Sequence, residues 1–141
     1  MPKYKIILEY DGTNYVGWQK QKNGTSIQEE IERALYSLTG VNTSVFGAGR
    51  TDAGVHALGQ VAHFELENDF KIDNIRDGLN QHLRPHLIAI LKVELVNDSF
   101  HSRFSAKQRT YIYKIVNRRA PLTINKSKKW MKGKDTLTWL I

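Results

Sequence analysis

The run from Ser26 to Gly40 leaves the fold little freedom. Ser26 and Glu29 stand three apart, the spacing of a capping box in which each side chain satisfies a backbone donor freed at a helix start. Ile27, Ile31, Ala34, Leu35 and Leu38 then recur at helical spacing, and Gly40 stands where a glycine cap ends a helix. An amphipathic helix over Ile27 to Thr39 must lay that stripe on a core. What flanks it is strand-like. Tyr4, Ile6, Leu8 and Tyr10 alternate with Lys5, Ile7 and Glu9 up to a turn at Asp11-Gly12. Thr43 to Phe46 and Gln60 to Leu66 read as two further strands. In the second of them Ala62, Phe64 and Leu66 share one face and Val61, His63 and Glu65 the other. A second helix runs from an N-cap at about Asp73 to Leu83, burying Ile75, Leu79 and Leu83. Gly78 weakens it by up to ~1 kcal/mol relative to alanine, and Arg84-Pro85 closes it. Leu87 to Val96 is a long apolar strand, and Thr110 to Val116 is one more, beyond a polar, basic loop.

The order β-α-β-β-α-β predicts an α+β fold of the split β-α-β (ferredoxin-like) kind: an antiparallel sheet with two helices on one face. A common RNA-binding module has the same order, but its aromatic signature is missing. This pattern occupies residues 1–117, and residues 118–141 form a basic tail in which it deteriorates. Lys126, Lys128, Lys129, Lys132 and Lys134 surround Trp130 there, and the apolar stretch Leu137 to Ile141 shows no partner element. The formal net charge of +7 suggests a polyanionic partner, nucleic acid first. The absence of cysteine excludes disulfides, thiolate nucleophiles and Cys-based zinc sites. The N-terminus enters directly into a strand pattern, and no apolar run approaches membrane-spanning length. The expectation is a cytoplasmic chain without a signal peptide or a membrane partner.

Between the second and third strands lies Gly47-Ala48-Gly49-Arg50-Thr51-Asp52-Ala53-Gly54-Val55-His56. Small residues there let the backbone turn tightly and let a ligand come close. Arg50 and Asp52 are either a surface ion pair or the charged core of a functional loop. The glycine spacing is not G-x-G-x-x-G and no helix clearly opens after it, so a dinucleotide or phosphate cradle lacks its helix N-terminus. The histidines, at 56, 63, 82, 86 and 101, show neither H-x-x-x-H without an intervening proline nor H-E-x-x-H, which argues against a metal site. Asp52 is the only carboxylate of the loop, and an arginine beside it would hold it ionised, as suits a nucleophile or base. Before the helix, Tyr15 and Trp18 either meet a nucleotide or cover the core edge. The edge is the better reading for Trp18, while Lys20 and Lys22 stay open to phosphate.

Gly49-Arg50-Thr51-Asp52-Ala53-Gly54-Val55-His56-Ala57, with Gly59-Gln60-Val61, closely resembles the catalytic motif of the tRNA pseudouridine synthase A family. Tyr10-Asp11-Gly12-Thr13 with Gly17-Trp18-Gln19 resembles the family's N-terminal strand and loop, and Phe100 to Ala106, running on to Arg109-Thr110-Tyr111-Ile112-Tyr113, resembles a second block. The resemblance covers about residues 4 to 119. It implies isomerisation of uridine to pseudouridine in the tRNA anticodon arm, at tRNA positions 38 to 40, by a homodimer that needs no cofactor and no metal. By motif match Asp52 would be the catalytic aspartate, Tyr111 would stack on the target uracil, and Arg50 would pair with Asp52 and help hold the flipped nucleotide. Asp52 could attack C1′, attack uracil C6, or take the 2′ proton. Arg103, Lys107 and Arg109 read as phosphate contacts. The resemblance also implies a second half, related in topology, that closes the cleft. The alternatives are a non-catalytic RNA-binding module and an inactive fragment.

Overall fold

The computed structural model describes residues 1–117, 119–120, 130–132 and 135–140. Its elements run β1 (Lys3–Tyr10), α1 (Ile27–Thr39), β2 (Phe46–Gly47), β3 (Ala57–Glu65), α2 (Ile72–Leu83), β4 (Ile88–Val96), β5 (Ile112–Asn117), β6 (Trp130–Lys132) and β7 (Asp135–Leu140). The first four strands form one sheet in the order β2-β3-β1-β4, every pair antiparallel. This is the split β-α-β arrangement expected from the order of elements. The alternation in β1 sets the register: Tyr4 faces Phe64, Ile6 faces Ala62 and Leu8 faces Gln60. The side chains of Tyr4, Ile6, Leu8, Ala62 and Phe64, with Ile88, Ile90 and Val93 of β4, meet Ile27, Ile31 and Leu35 of α1 and Ile75, Leu79 and Leu83 of α2 in one core.

Helix α1 has the expected ends, with the Ser26 half of the capping box formed. The Ser26 Oγ accepts from the Glu29 N–H at 3.1 Å, and Gly40 closes the helix with φ +77. The Glu29 carboxylate lies 3.7 Å from Arg33. Helix α2 differs from expectation at its start. Lys71 is the N-cap without a side-chain bond, and Asp73 lies inside the first turn, 3.5 Å from Arg76. The carboxylate thus acts on the helix dipole and on Arg76 instead of capping. Asn80 ties α2 to β4: its amide donates to the Ile90 carbonyl at 3.0 Å and its Oδ1 accepts from the Ile90 N–H at 2.7 Å.

Two strand readings change. The stretch Thr43 to Phe46 contributes only the short β2, because the chain there turns to serve α1: the Gln28 amide donates to the Val45 carbonyl at 2.7 Å. The terminal apolar stretch does have a partner. Strand β7 pairs antiparallel with β5, Ile112 opposite Leu140, and β6 pairs with β7, giving a second, three-stranded sheet. Period-two pairing between stretches this far apart is invisible to a local pattern. This sheet crosses the division between residues 117 and 118. Of the tail's basic tract, Lys126, Lys128, Lys129 and Lys134 lie outside the described residues.

The sheet face away from the helices is partly covered by the loop that follows β4. Buried Lys3 holds it there, its Nζ donating to the carbonyls of Asp98 and Phe100 at 2.8 Å each. Beneath the loop His63 is 4% exposed. The Ser102 N–H donates to its Nδ1 at 3.1 Å, while the Ser102 Oγ donates to the Phe46 carbonyl at 2.9 Å. An Nδ1 that accepts needs a neutral ring. Burial pushes the imidazole down to about 4, His101 and Lys3 add to the shift, and Glu65 opposes it. The unfolded chain therefore binds this proton first. The stability is complete above pH 6.5 and is lost as pH falls toward 4. The loss is about 2–3 kcal/mol. Urea midpoints taken at neutral and at mildly acid pH should show His63→Gln losing clearly less stability than the parent. Equal losses would rule out His63 as the titrating group.

Candidate active site

The glycine loop between β2 and β3 is a pinned structure, not a slack connection. Four of its carbonyls have a named donor. Arg109 Nε donates to the Ala48 carbonyl at 3.0 Å, Gln60 Nε2 to Gly49 at 2.8 Å and the Trp18 N–H to Thr51 at 3.0 Å. The Val55 N–H closes a turn onto the Asp52 carbonyl at 3.1 Å. The Thr51 side chain points inward, 2.8 Å from the Tyr10 hydroxyl. His56 closes the loop: its Nδ1 lies 2.9 Å from the Gly12 N–H and 3.2 Å from the Asp11 carboxylate.

This packing depends on bringing two backbones together. Gly17 and Asp52 form an isolated antiparallel bridge. A Cβ on Gly17 would stand 2.4 Å from the Thr51 carbonyl oxygen, and one on Gly12 would stand 2.0 Å from that of Val55. The loop after β1 and the glycine loop are thus one unit, with Trp18 2% exposed beneath them. Trp18 is a core-edge residue, as its sequence setting suggests.

Thr51 buried and Asp52 exposed is the outcome of that anchoring. The Asp52 carboxylate has no ion-pair partner among the described residues. The expected Arg50–Asp52 pair is therefore corrected: no nitrogen of Arg50 lies within 4.0 Å of the carboxylate. Thr51 is drawn down between them by Tyr10, and Arg50 lines a separate cleft with Trp18, Phe46 and His101. Tyr111, 49% exposed, stands close enough to the Tyr10 phenol to oppose its ionisation. That adds to burial, the larger cause, which pushes Tyr10 up to about 12 although Thr51 and Gln60 pull it down. Tyr10 is therefore a protonated anchor at all ordinary pH.

The three basic residues read as phosphate contacts separate. Arg103 lines the same cleft as Arg50 and Lys20. Lys107 and Arg109 line another, of about 640 Å³, against Gly49, Gly59 and Lys5. Arg109 is also committed within the chain, its second nitrogen donating to the Arg103 carbonyl at 2.9 Å. Its first duty is to hold the glycine loop. Gln60 and Tyr10 are site-building residues that local reading missed. Tyr10 looked like one more apolar position in an alternating strand, and only its hydroxyl's contact reveals the second role. Among the described residues no group of three or more histidines and carboxylates is gathered for a metal ion, and no helix is long and apolar enough to cross a membrane.

Comparison with known proteins agrees with this geometry. A family model described as tRNA pseudouridine synthase matches residues 6–105. The chain is 53% identical over 131 residues to a protein of Parvibaculum lavamentivorans named tRNA pseudouridine synthase A, covering 93% of this chain and 53% of the relative. Relatives of the same name from Ehrlichia ruminantium and Maricaulis maris are 55% and 50% identical over 130 residues, covering 92% of this chain and 53% and 52% of their own. The chain spans about half the length of the curated relatives it matches. The matched span takes in most of β1, both helices, the pinned loop and the segment around His101, nearly all of the four-stranded unit and not one motif, and the chain belongs to the tRNA pseudouridine synthase family.

Proposed function

We propose that this chain is the catalytic part of an enzyme that converts uridine to pseudouridine in tRNA, with Asp52 as the catalytic residue. The observation that carries the reading is the exposed carboxylate, without an ion-pair partner among the described residues, on a loop whose neighbours are fixed by Trp18, Gln60, Arg109 and Tyr10. A carboxylate on a fixed loop is held where a bound nucleotide can meet it, and positioning supplies much of the rate. The reaction breaks the N1–C1′ bond, turns the uracil, and joins C1′ to C5. The C5 proton leaves and N1 gains one, so no oxidant or other co-reactant is consumed. The base must first leave its stack. Tyr111 offers it a ring, worth ~1–3 kcal/mol, and Arg50, free of Asp52, is available to the backbone of the flipped nucleotide. Arg103, Lys107 and Arg109 face the RNA on two sides of the loop, and the net charge of +7 favours the encounter.

The substrate we assign is the anticodon stem-loop at positions 38 to 40, bound across a homodimer in the cytoplasm, with the unit of residues 1–117 carrying the chemistry. A stem-loop RNA carrying tritium at uracil C5 tests this. The chain, completed with the C-terminal part of the Parvibaculum relative, should release tritium and leave pseudouridine in those positions. Salt-sensitive binding with no release would favour the RNA-binding alternative.

A further inference from the structure

A second feature of the same surface has no part in the chemistry at Asp52. A chain of aromatic rings runs outward from the sheet. His63 and His101 meet edge to face at 4.5 Å, Phe46 stacks on His63 at 5.2 Å, and Phe104 lies over His101 at 4.5 Å. The inner ring is buried, whereas Phe46 is 49% exposed and Phe104 80% exposed. Packing does not explain Phe104: an apolar ring of that size is held in water by its neighbour His101, whose Nδ1 accepts from the Arg103 N–H at 3.2 Å. Phe46, His101 and Phe104 line a cleft of about 440 Å³, within the ~300–1,000 Å³ range of small-molecule sites. Lys20, Arg50 and Arg103 complete it, and no carboxylate is among its lining residues, although Lys20 also feels Glu32 from outside.

An apolar ring stack ending in an open face, ringed by cations only, suits one chemistry. A nucleobase has a π-face for Phe104 and a phosphate for the cations. A protein surface or a lipid would use the rings or the charges but has no reason to need both. We propose that this cleft is a stacking subsite for an unpaired RNA base other than the target uridine, with Lys20 and Arg103 on its phosphate. The assignment rests on the RNA reading of the site. Because Arg50 is two residues from Asp52, a base held here would fix the path of the strand as it passes the catalytic loop.

The test is direct binding by the chain, followed by fluorescence anisotropy of a labelled anticodon stem-loop RNA and of a fully paired duplex of equal length. Phe104→Ala should weaken the stem-loop about 5- to 100-fold and leave the duplex unchanged. Phe104→Trp should bind the stem-loop at least as tightly as the parent. Arg103→Gln should lower the salt slope by about one. Because Phe104 is so exposed, circular dichroism of the variants should match the parent. Parent-like stem-loop binding by Phe104→Ala would overturn the subsite and leave the RNA reading intact. Equal weakening on stem-loop and duplex would overturn the stacking role. Absence of salt-sensitive RNA binding by the parent chain would overturn both.

Discussion

Asp52→Ala is expected to lower tritium release from the labelled stem-loop by at least roughly 10³-fold in the completed enzyme, the scale seen when a lone catalytic group is deleted. Binding of the RNA should be retained. The separation of the two effects follows from the structure: Asp52 is exposed and its carboxylate holds no ion pair among the described residues, so its loss removes no such contact there. The Gly17 bridge and the Val55 turn use only the Asp52 backbone, which alanine keeps. Asp52→Asn should fail as well, since an amide of the same shape has neither the charge nor the basicity that each of the three candidate mechanisms needs. If Asp52→Ala turned over at the parent rate, the assignment of this residue would be wrong whatever the family.

The largest effect on stability is expected at Gly17. Its φ of +111 lies where side chains are strained, and an added Cβ would collide with the Thr51 carbonyl oxygen at 2.4 Å. Left-handed backbone costs a non-glycine residue ~1–2 kcal/mol, and forcing atoms into a filled space costs another ~1–3 kcal/mol. Gly17→Ala should therefore destabilise the chain by about 3 kcal/mol and lower the thermal midpoint by about 10 °C. It should also part the two loops. The Trp18 N–H that holds the Thr51 carbonyl belongs to the next residue, so displacement of Gly17 carries the anchor of Asp52 with it. Gly59→Ala is the control: nothing lies within 4 Å of a Cβ there. A midpoint for Gly17→Ala within a degree or two of Gly59→Ala would mean that the two backbones are not in forced contact.

These predictions mark where local sequence reasoning worked and where it ended. Helix α1 was legible to the residue because its signals are local: a hydroxyl three residues before a glutamate, a stripe at helical spacing, a terminal glycine. The four-stranded order followed from the alternation of β1 and the two helix stripes, since an antiparallel split β-α-β sheet buries all three. The second sheet was not legible, because β5 and β7 find each other only through pairing at long range. Asp73 failed as a cap because the chain before it has already entered the helix at Ile72, a boundary that propensity alone does not set.

The site divides in the same way. The small-residue loop and its exposed carboxylate could be picked out from composition, and the resemblance gave Asp52 and Tyr111 their expected parts. The contacts that make the loop rigid could not be picked out. Arg109 looked like one more basic loop residue, but it reaches back across the fold to the Ala48 carbonyl. Arg50 and Asp52 looked like a pair because they are two residues apart. The buried Thr51–Tyr10 contact between them sends their side chains to different places. Neither fact is local, and both bear on the proposed chemistry: among the described residues the two side chains are not paired with each other.

The most direct measurement of the central claim is position-resolved mapping of pseudouridine in an anticodon stem-loop RNA after incubation with the chain completed by a relative's C-terminal part. The account predicts pseudouridine at positions 38 to 40, one tritium released from C5 for each one formed, and none with Asp52→Ala. Bound RNA in which every uridine survives, with the completed protein folded, would contradict it.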